Sequence, residues 1–366
     1  MISFIVLFLL STTYCVSFFH KGSRFARPSR LNMKHYEFAK QYYEFYQKYK
    51  TPVFQSSKKT NYQEFVDKNI DSYKIFEKNY KQINEANEYL SSQNNTLSLD
   101  INQYADIIDF ESDNKYDLMV NPIDPESISK RSFLKILKEP LPYLEELKPV
   151  EEGFHWNRSN LLSEVKDQGS CGSCWAFSST GALETFMRLQ NYSVERLSEQ
   201  ELVDCSAQNY GCNGGLMHLA YDYVIENRGL YHNDDYKYMA LDQNCTKLNV
   251  SKANGSHLKE YLWTIPKSII DLKVCVKKNP IAIAIDADNL FFRFYKSGVI
   301  DVAKNVSKEL NHAVLLVGYD YDDKGMYWII QNSWGKQWGD NGFCKVRVQP
   351  DEGTLMCQVY GVYPNK

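Results

Sequence analysis

The sequence predicts an α+β chain: a helical N-terminal region, then a mainly helical half, then a half built on short antiparallel strands. Three observations predict it. From Tyr36 to Asn95, Lys, Glu, Tyr and Asn crowd a stretch with few glycines. From about Val150 glycine, cysteine and tryptophan become frequent, while helical periodicities continue. Later, short apolar or alternating runs bounded by Gly, Asp and Asn take over, which is the strand signature. The 366 residues exceed one typical domain, and 43% hydrophobic with 14% aromatic content fills a substantial core. A net charge of -3 offers no basic excess to meet phosphates, so nothing points to nucleic acid as a partner.

Taken in order, Ile2 to Leu10 form an apolar run followed by small polar residues, which fits a signal peptide cut near Cys15 to Ser17. The run is too short for the roughly 20 apolar residues of a membrane span, and no later stretch approaches that length. A basic patch follows (Lys21, Arg24, Arg27, Arg30, Lys34), so an anchored or otherwise sorted N-terminus stays open as the alternative. Secretory entry agrees with the sequons at Asn94, Asn157, Asn191, Asn244, Asn249, Asn254 and Asn305, and with nine cysteines. Within the helical stretch Ser72, Phe76, Asn79, Ile83 and Asn87 share one face. Asn102 to Ile108 reads as a strand or turn leading into an acidic, Pro-containing connector, Asp124 to Pro149, exposed and cleavable.

In the next region Ala176, Thr180, Leu183 and Met187 recur at helical spacing behind Cys174, while Gly169 and Gly172 keep the entry loop open. A thiol at a helix N-terminus meets unpaired N–H groups and the positive end of the macrodipole, and both favour thiolate. By itself Cys171-x-x-Cys174 equally admits a disulfide or half a zinc site. Leu197-Ser-Glu-Gln-Glu201 is a capping box with Ser198 at N-cap, Glu201 at N3 and Leu197 as staple. Leu216 to Asn227 reads as a further helix, stopped by Gly229. Ile281–Ile285, Ala313–Val317, Met326–Ile330 and Cys344–Val348 read as strands, and a cleft is expected where the halves meet. His312 opens one of these strands; alone it would read as a satisfied core histidine. Asn332 follows the next strand, where its amide could fix an imidazole tautomer and Trp334 could shield that bond.

Four stretches, Gln168 to Trp175, Gly211-Cys-Asn-Gly-Gly215, Asn311-His-Ala-Val314 and Asn332-Ser-Trp-Gly-Lys-Gln-Trp-Gly339, resemble the papain family of cysteine proteases, in its cathepsin L-like branch. Cys174 and His312 are separated by a distance within the ~130–150 positions typical of that family. The resemblance implies a papain-like two-domain fold, a helical left domain and an antiparallel β-barrel right domain, behind a helical propeptide. It divides the chain into a signal peptide (1–17), an inhibitory propeptide (18–149) and a peptidase domain (150–366), itself mainly helical over about 150–260 and mainly β over 261–366. It makes Cys174 the nucleophile, His312 the general acid/base, Asn332 its orienter, and Gln168 with the Cys174 N–H the oxyanion donors. It also implies disulfides Cys171–Cys212 and Cys205–Cys245. The third bridge departs from the family: Val299 to Asn311 holds no cysteine, so Cys357 is expected to pair with Cys344, or with Cys275.

For the substrate the resemblance points to Gly214, Gly215, Leu216, Met217, Ala284, Leu310, Ala313 and Trp334. The pocket for the second residue before the scissile bond is apolar, with its floor near Tyr360 to Val362, and favours Leu, Phe or Val over Arg. Phe76, Asn79, Ile83 and Asn87 match the propeptide's helix motif and Asn102, Tyr104 and Asp106 its short strand motif, whereas Lys68, Ser72 and Asp100 depart from it. The implied zymogen loosens in acid as carboxylates such as Asp106 protonate. Expected partners are protein and peptide substrates, the chain's own propeptide and cystatin-like inhibitors. A monomer without metal or cofactor is expected, in the secretory pathway, bound for an acidic lysosome- or vacuole-like compartment or the exterior. A binding protein that keeps the fold and a ligase run from the same thioester are the rival readings.

Overall fold

The computed structural model describes residues 30–50, 62–107, 152–193, 196–264, 269–301, 310–348 and 361–365. The signal peptide, the acidic connector, Cys357 and Tyr360 lie outside the described residues. No helix among them is long and apolar enough to cross a membrane.

Three N-terminal helices, α1 (Arg30–Tyr49), α2 (Tyr62–Lys68) and α3 (Ile70–Ser92), pack through aromatic rings. Phe76 of α3 meets Phe45 at 4.9 Å and Tyr42 at 5.2 Å. The α3 face read from spacing is the inward one, and its two asparagines reach past the helix. Asn79 Nδ2 donates to Ala105 O at 2.9 Å, and Asn87 both donates to Leu99 O and accepts from Leu99 N–H, each at 2.9 Å. Each amide thus satisfies backbone that the short following segment cannot pair for itself. That segment takes the turn form of the strand-or-turn reading. Its strand is β1 (Ser98–Leu99), whereas Asn102, Tyr104 and Asp106 lie in turns stabilised by side chains, with Asp106 2.9 Å from Lys50 Nζ.

The central element is α4 (Cys174–Leu189), packed between α5 (Glu199–Cys205) and α6 (Met217–Glu226) on one side and the sheet on the other. It is therefore buried nearly all round, where periodicity indicated one buried face. At Gly181 a Cβ would stand 3.2 Å from Leu315 Cδ2, so the small residue sets how closely helix and sheet approach. Buried Lys166 bonds Glu184 of α4 at 2.6 Å and Glu199 of α5 at 2.5 Å, fastening the loop before Gln168 to both helices. Half of the expected capping box forms: Ser198 accepts from Glu201 N–H at 2.9 Å. The Glu201 carboxylate turns instead to Tyr231 N–H, Asn227 and Lys252, because the Ser198 N–H is already taken by Tyr231 O.

The sheet is antiparallel, in the order β3 (Glu260–Trp263), β9 (Val362–Asn365), β4 (Ile281–Ile285), β6 (His312–Asp322), β7 (Gly325–Gln331) and β8 (Phe343–Arg347), with β2 (Phe154–His155) also on β6. The four strands read from sequence are β4, β6, β7 and β8. α7 (Ile269–Lys278) lies against β6, and the short α8 (Leu290–Arg293) leads into β5 (Tyr295–Ser297), which pairs with β1 of the N-terminal region. β4 and β6 put Ala284 opposite Ala313 and Ile285 opposite His312, so the start of β6 lies where the sheet meets α4.

Candidate active site

Cys174 is the first residue of α4 and is 1% exposed. Its sulfur is faced by its own N–H, by that of Trp175 and by that of Ala313. The first two are unpaired donors of a helix terminus; the third comes from β6, one residue beyond His312. Helix and strand therefore meet at Cys174 and the residue that follows His312.

The tautomer of His312 follows from its neighbours. His312 Nε2 lies 2.8 Å from Asn332 Oδ1, and the Ser333 N–H donates to that same atom at 2.8 Å. The atom is thus a carbonyl oxygen, and Nε2 must carry the proton. Nδ1 is left as the basic nitrogen, buried without a hydrogen-bond partner. Trp334 lies over the imidazole at 4.8 Å between centroids, and Phe292 and Trp338 stand 5.5 Å from Trp334. This aromatic wall keeps water from the Asn332 bond. Burial pushes the Cys174 thiol up to about 11 and His312 down to about 4, the latter opposed by the Asn332 bond. Both shifts favour the neutral form in this closed state.

Gln168 is fully buried. Its Oε1 accepts from Ser333 Oγ at 2.6 Å, and its Nε2 donates to Cys171 O at 3.0 Å. A primary amide has two N–H donors, so one is left over from these bonds. Ser333 was not singled out from sequence, although it sits inside the Asn332 motif.

Met217, Ala284 and Ala313 belong to one apolar cluster with Leu310 packed against it, and Val362 lies in the same cluster. Leu216, half-buried, heads α6 beside them. The two glycines have internal reasons for being glycine. Gly214 takes φ 110°, and a Cβ on Gly215 would fall 2.7 Å from the Trp175 ring. Disulfides Cys171–Cys212 and Cys205–Cys245 form as implied, which removes Cys171 from any zinc site. Cys357 lies outside the described residues, and its two expected partners, Cys344 and Cys275, are both free, buried thiols. Cys344 is enclosed within β8, and Cys275 is occupied by Asp271 and the Tyr363 hydroxyl.

The turn after β1 lies across this site. Gln103 Nε2 donates to Trp334 O at 2.7 Å, and the Tyr104 ring is 4.9 Å from that of Trp334. Asn102 Nδ2 donates to Arg293 O at 2.7 Å, while the Arg293 guanidinium donates to Tyr104 O at 3.0 Å and Ile107 O at 2.7 Å. Arg293 carries no sequence signal, since a single arginine in an aromatic run is indistinguishable from a solvated one.

A thiol on a helix terminus beside an imidazole of fixed tautomer and a spare amide donor defines a cysteine hydrolase site. The comparisons agree. The family model for papain family cysteine proteases matches residues 150–362. A cathepsin L-like peptidase of Aedes aegypti is 35% identical over 317 residues, 84% of this chain and 91% of that one. A probable cysteine protease of Arabidopsis thaliana, RD21B, is 34% identical over 78% of this chain, which spans only 58% of that protein's length. The structure of digestive procathepsin L2 proteinase from Tenebrio molitor larval midgut aligns with a TM-score of 0.72 at 29% identity, covering 90% of this chain and all of that one. The chain belongs to the papain family of cysteine proteases, in its cathepsin L-like branch, as a proenzyme.

Arg293→Ala follows from this as a test of the docked pro-segment. Two charge-assisted bonds to main-chain carbonyls are lost, and the variant proenzyme is expected to process itself about tenfold faster at pH 5. Densitometry of the processing time course checks it; an unchanged rate would show that Arg293 is not a clamp.

Proposed function

We propose that this chain is a secretory or lysosomal-type cysteine endopeptidase in which Cys174, His312, Asn332 and Gln168 carry the reaction. Residues 18–149 form the inhibitory propeptide, after a signal peptide over 1–17, and residues 150–366 form the peptidase. The single observation that carries the reading is the protonation pattern at His312, whose Nε2 proton is held by Asn332 while Nδ1 is left bare, one residue before the Ala313 N–H that faces the Cys174 sulfur. Once the pro-segment leaves and water enters, Nδ1 takes the thiol proton. The Cys174 sulfur attacks the peptide carbonyl carbon, and the carbonyl oxygen becomes an oxyanion held by the Cys174 N–H and the Gln168 amide. As the C–N bond breaks, His312 gives its Nδ1 proton to the leaving amine. Water then attacks the thioester with Nδ1 as base, releasing the acid and restoring the thiol.

Substrates are proteins and peptides with an apolar residue two before the scissile bond, because Met217, Ala284, Ala313, Leu310 and Val362 offer no charge to pair with a basic one. A peptide library cut by the activated enzyme is expected to show Leu, Phe or Val there at least tenfold over Arg, the discrimination that ~1.4 kcal/mol of uncompensated charge burial supplies. Dominance of Arg would refute this pocket assignment. The mechanism itself is tested by Cys174→Ala, taken up in the Discussion.

A further inference from the structure

The serine that heads α4 does not cap its helix. Ser173 occupies the N-cap position, where a serine hydroxyl ordinarily accepts from a first-turn N–H, yet it makes no such bond. Its Oγ lies 2.6 Å from the Tyr238 hydroxyl, and Tyr238 donates to the main-chain carbonyl of Gln168 at 2.7 Å. A carbonyl only accepts, so the phenolic proton is committed to Gln168, and Ser173 donates to the phenol at 2.6 Å in preference to Cys171 O, which its hydroxyl meets only at 3.5 Å. Meanwhile Ala176 N–H is satisfied by Ser173 O at 2.8 Å, and Trp175 N–H, which a capping serine would take, faces the Cys174 sulfur.

We propose that Tyr238 is a positioning residue for the reaction: its hydroxyl diverts Ser173 from the cap and pins the Gln168 main chain, keeping the first-turn N–H groups and the Gln168 amide aimed at the reacting centre. This rests on Cys174 being the nucleophile. The two oxyanion donors come from residues 168 and 174, and Tyr238 closes the turn between them by holding 168 and 173 on one oxygen. Its ring meets Phe177 edge-on at 4.8 Å and 90°, so the hydroxyl is located by the very helix it serves. Burial holds the phenol well above its ordinary range, which keeps the O–H a donor wherever the enzyme works.

Tyr238→Phe in the activated enzyme keeps the ring and deletes the hydroxyl. Ser173 then turns to cap Trp175 N–H, so the pH midpoint for alkylation of Cys174 by iodoacetamide is expected to rise by about half a unit or more. kcat is expected to fall about tenfold with KM changing less than about twofold. A peptide aldehyde, whose thiol adduct carries the oxyanion, loses affinity in parallel. Ser173→Ala cannot recap the helix and keeps the wild-type midpoint; combined with Tyr238→Phe it restores the midpoint toward wild type. A purely structural tyrosine would lower thermal stability while leaving midpoint and aldehyde affinity unchanged, which overturns the proposal, as does a double variant whose midpoint stays with the single one. Alkylation that persists in Cys174→Ala would instead overturn the nucleophile assignment, so the two failures are distinguishable.

Discussion

Proenzyme carrying Cys174→Ala is expected to remain full length through incubation at about pH 4 to 5 while the wild type shortens, and its turnover of a Leu- or Phe-containing peptide is expected to fall by about 10⁶-fold. The size follows from what is removed. Alanine at 174 keeps the helix, its terminal N–H groups and the His312–Asn332 pair, but no other group reaches the carbonyl carbon. Among the described residues the remaining free thiols, Cys275 and Cys344, are buried, and burial pushes both well up, so neither substitutes. N-terminal sequencing of the shortened wild type locates the cut, which is expected near residue 150, where the proposed propeptide over 18–149 ends. Equal processing and activity in variant and wild type would sink the scheme.

Much of the fold was legible because local pattern and tertiary environment agreed. Ile281–Ile285 reads as an apolar run and is β4, buried at every position. The spacing of Phe76, Asn79, Ile83 and Asn87 gave the inner face of α3, though not that the two asparagines bond backbone of a later segment. β9 escaped notice because Pro364 argues against a strand. The proline is tolerated because β9 meets β4 only at Val362, so beyond that residue the missing N–H faces a side with no partner strand. At the site, motif residues were readable as types, yet what makes them work is long-range. Ser333 fixes both the Asn332 oxygen and the Gln168 amide. Tyr238 reaches Gln168 across 70 positions and Arg293 reaches Tyr104 across 189. No spacing rule carries such pairs.

Gln168→Ala is expected to lower kcat by about 10²–10³, some 2.7–4 kcal/mol, with little change in KM. The asymmetry arises because the amide bonds the substrate oxygen only once that oxygen carries the developing charge; the ground-state carbonyl gains little from it. Alanine also strands Ser333 Oγ and Cys171 O, which the amide now serves at 2.6 and 3.0 Å, so a loss of stability could imitate a loss of catalysis. Gln168→Glu separates the two. It preserves volume and can still accept from Ser333, but it presents oxygen in place of the N–H and adds a negative charge beside the oxyanion. If the amide acts as a donor, the glutamate variant, which keeps the Ser333 partner, loses at least as much kcat as the alanine variant. If Gln168 merely packs, the glutamate enzyme recovers most of the activity. Steady-state kinetics beside thermal melts of both variants distinguish these outcomes. The residual rate of the alanine variant then reports the reaction with the Cys174 N–H, a donor no side-chain substitution can delete, as the remaining donor of the pair.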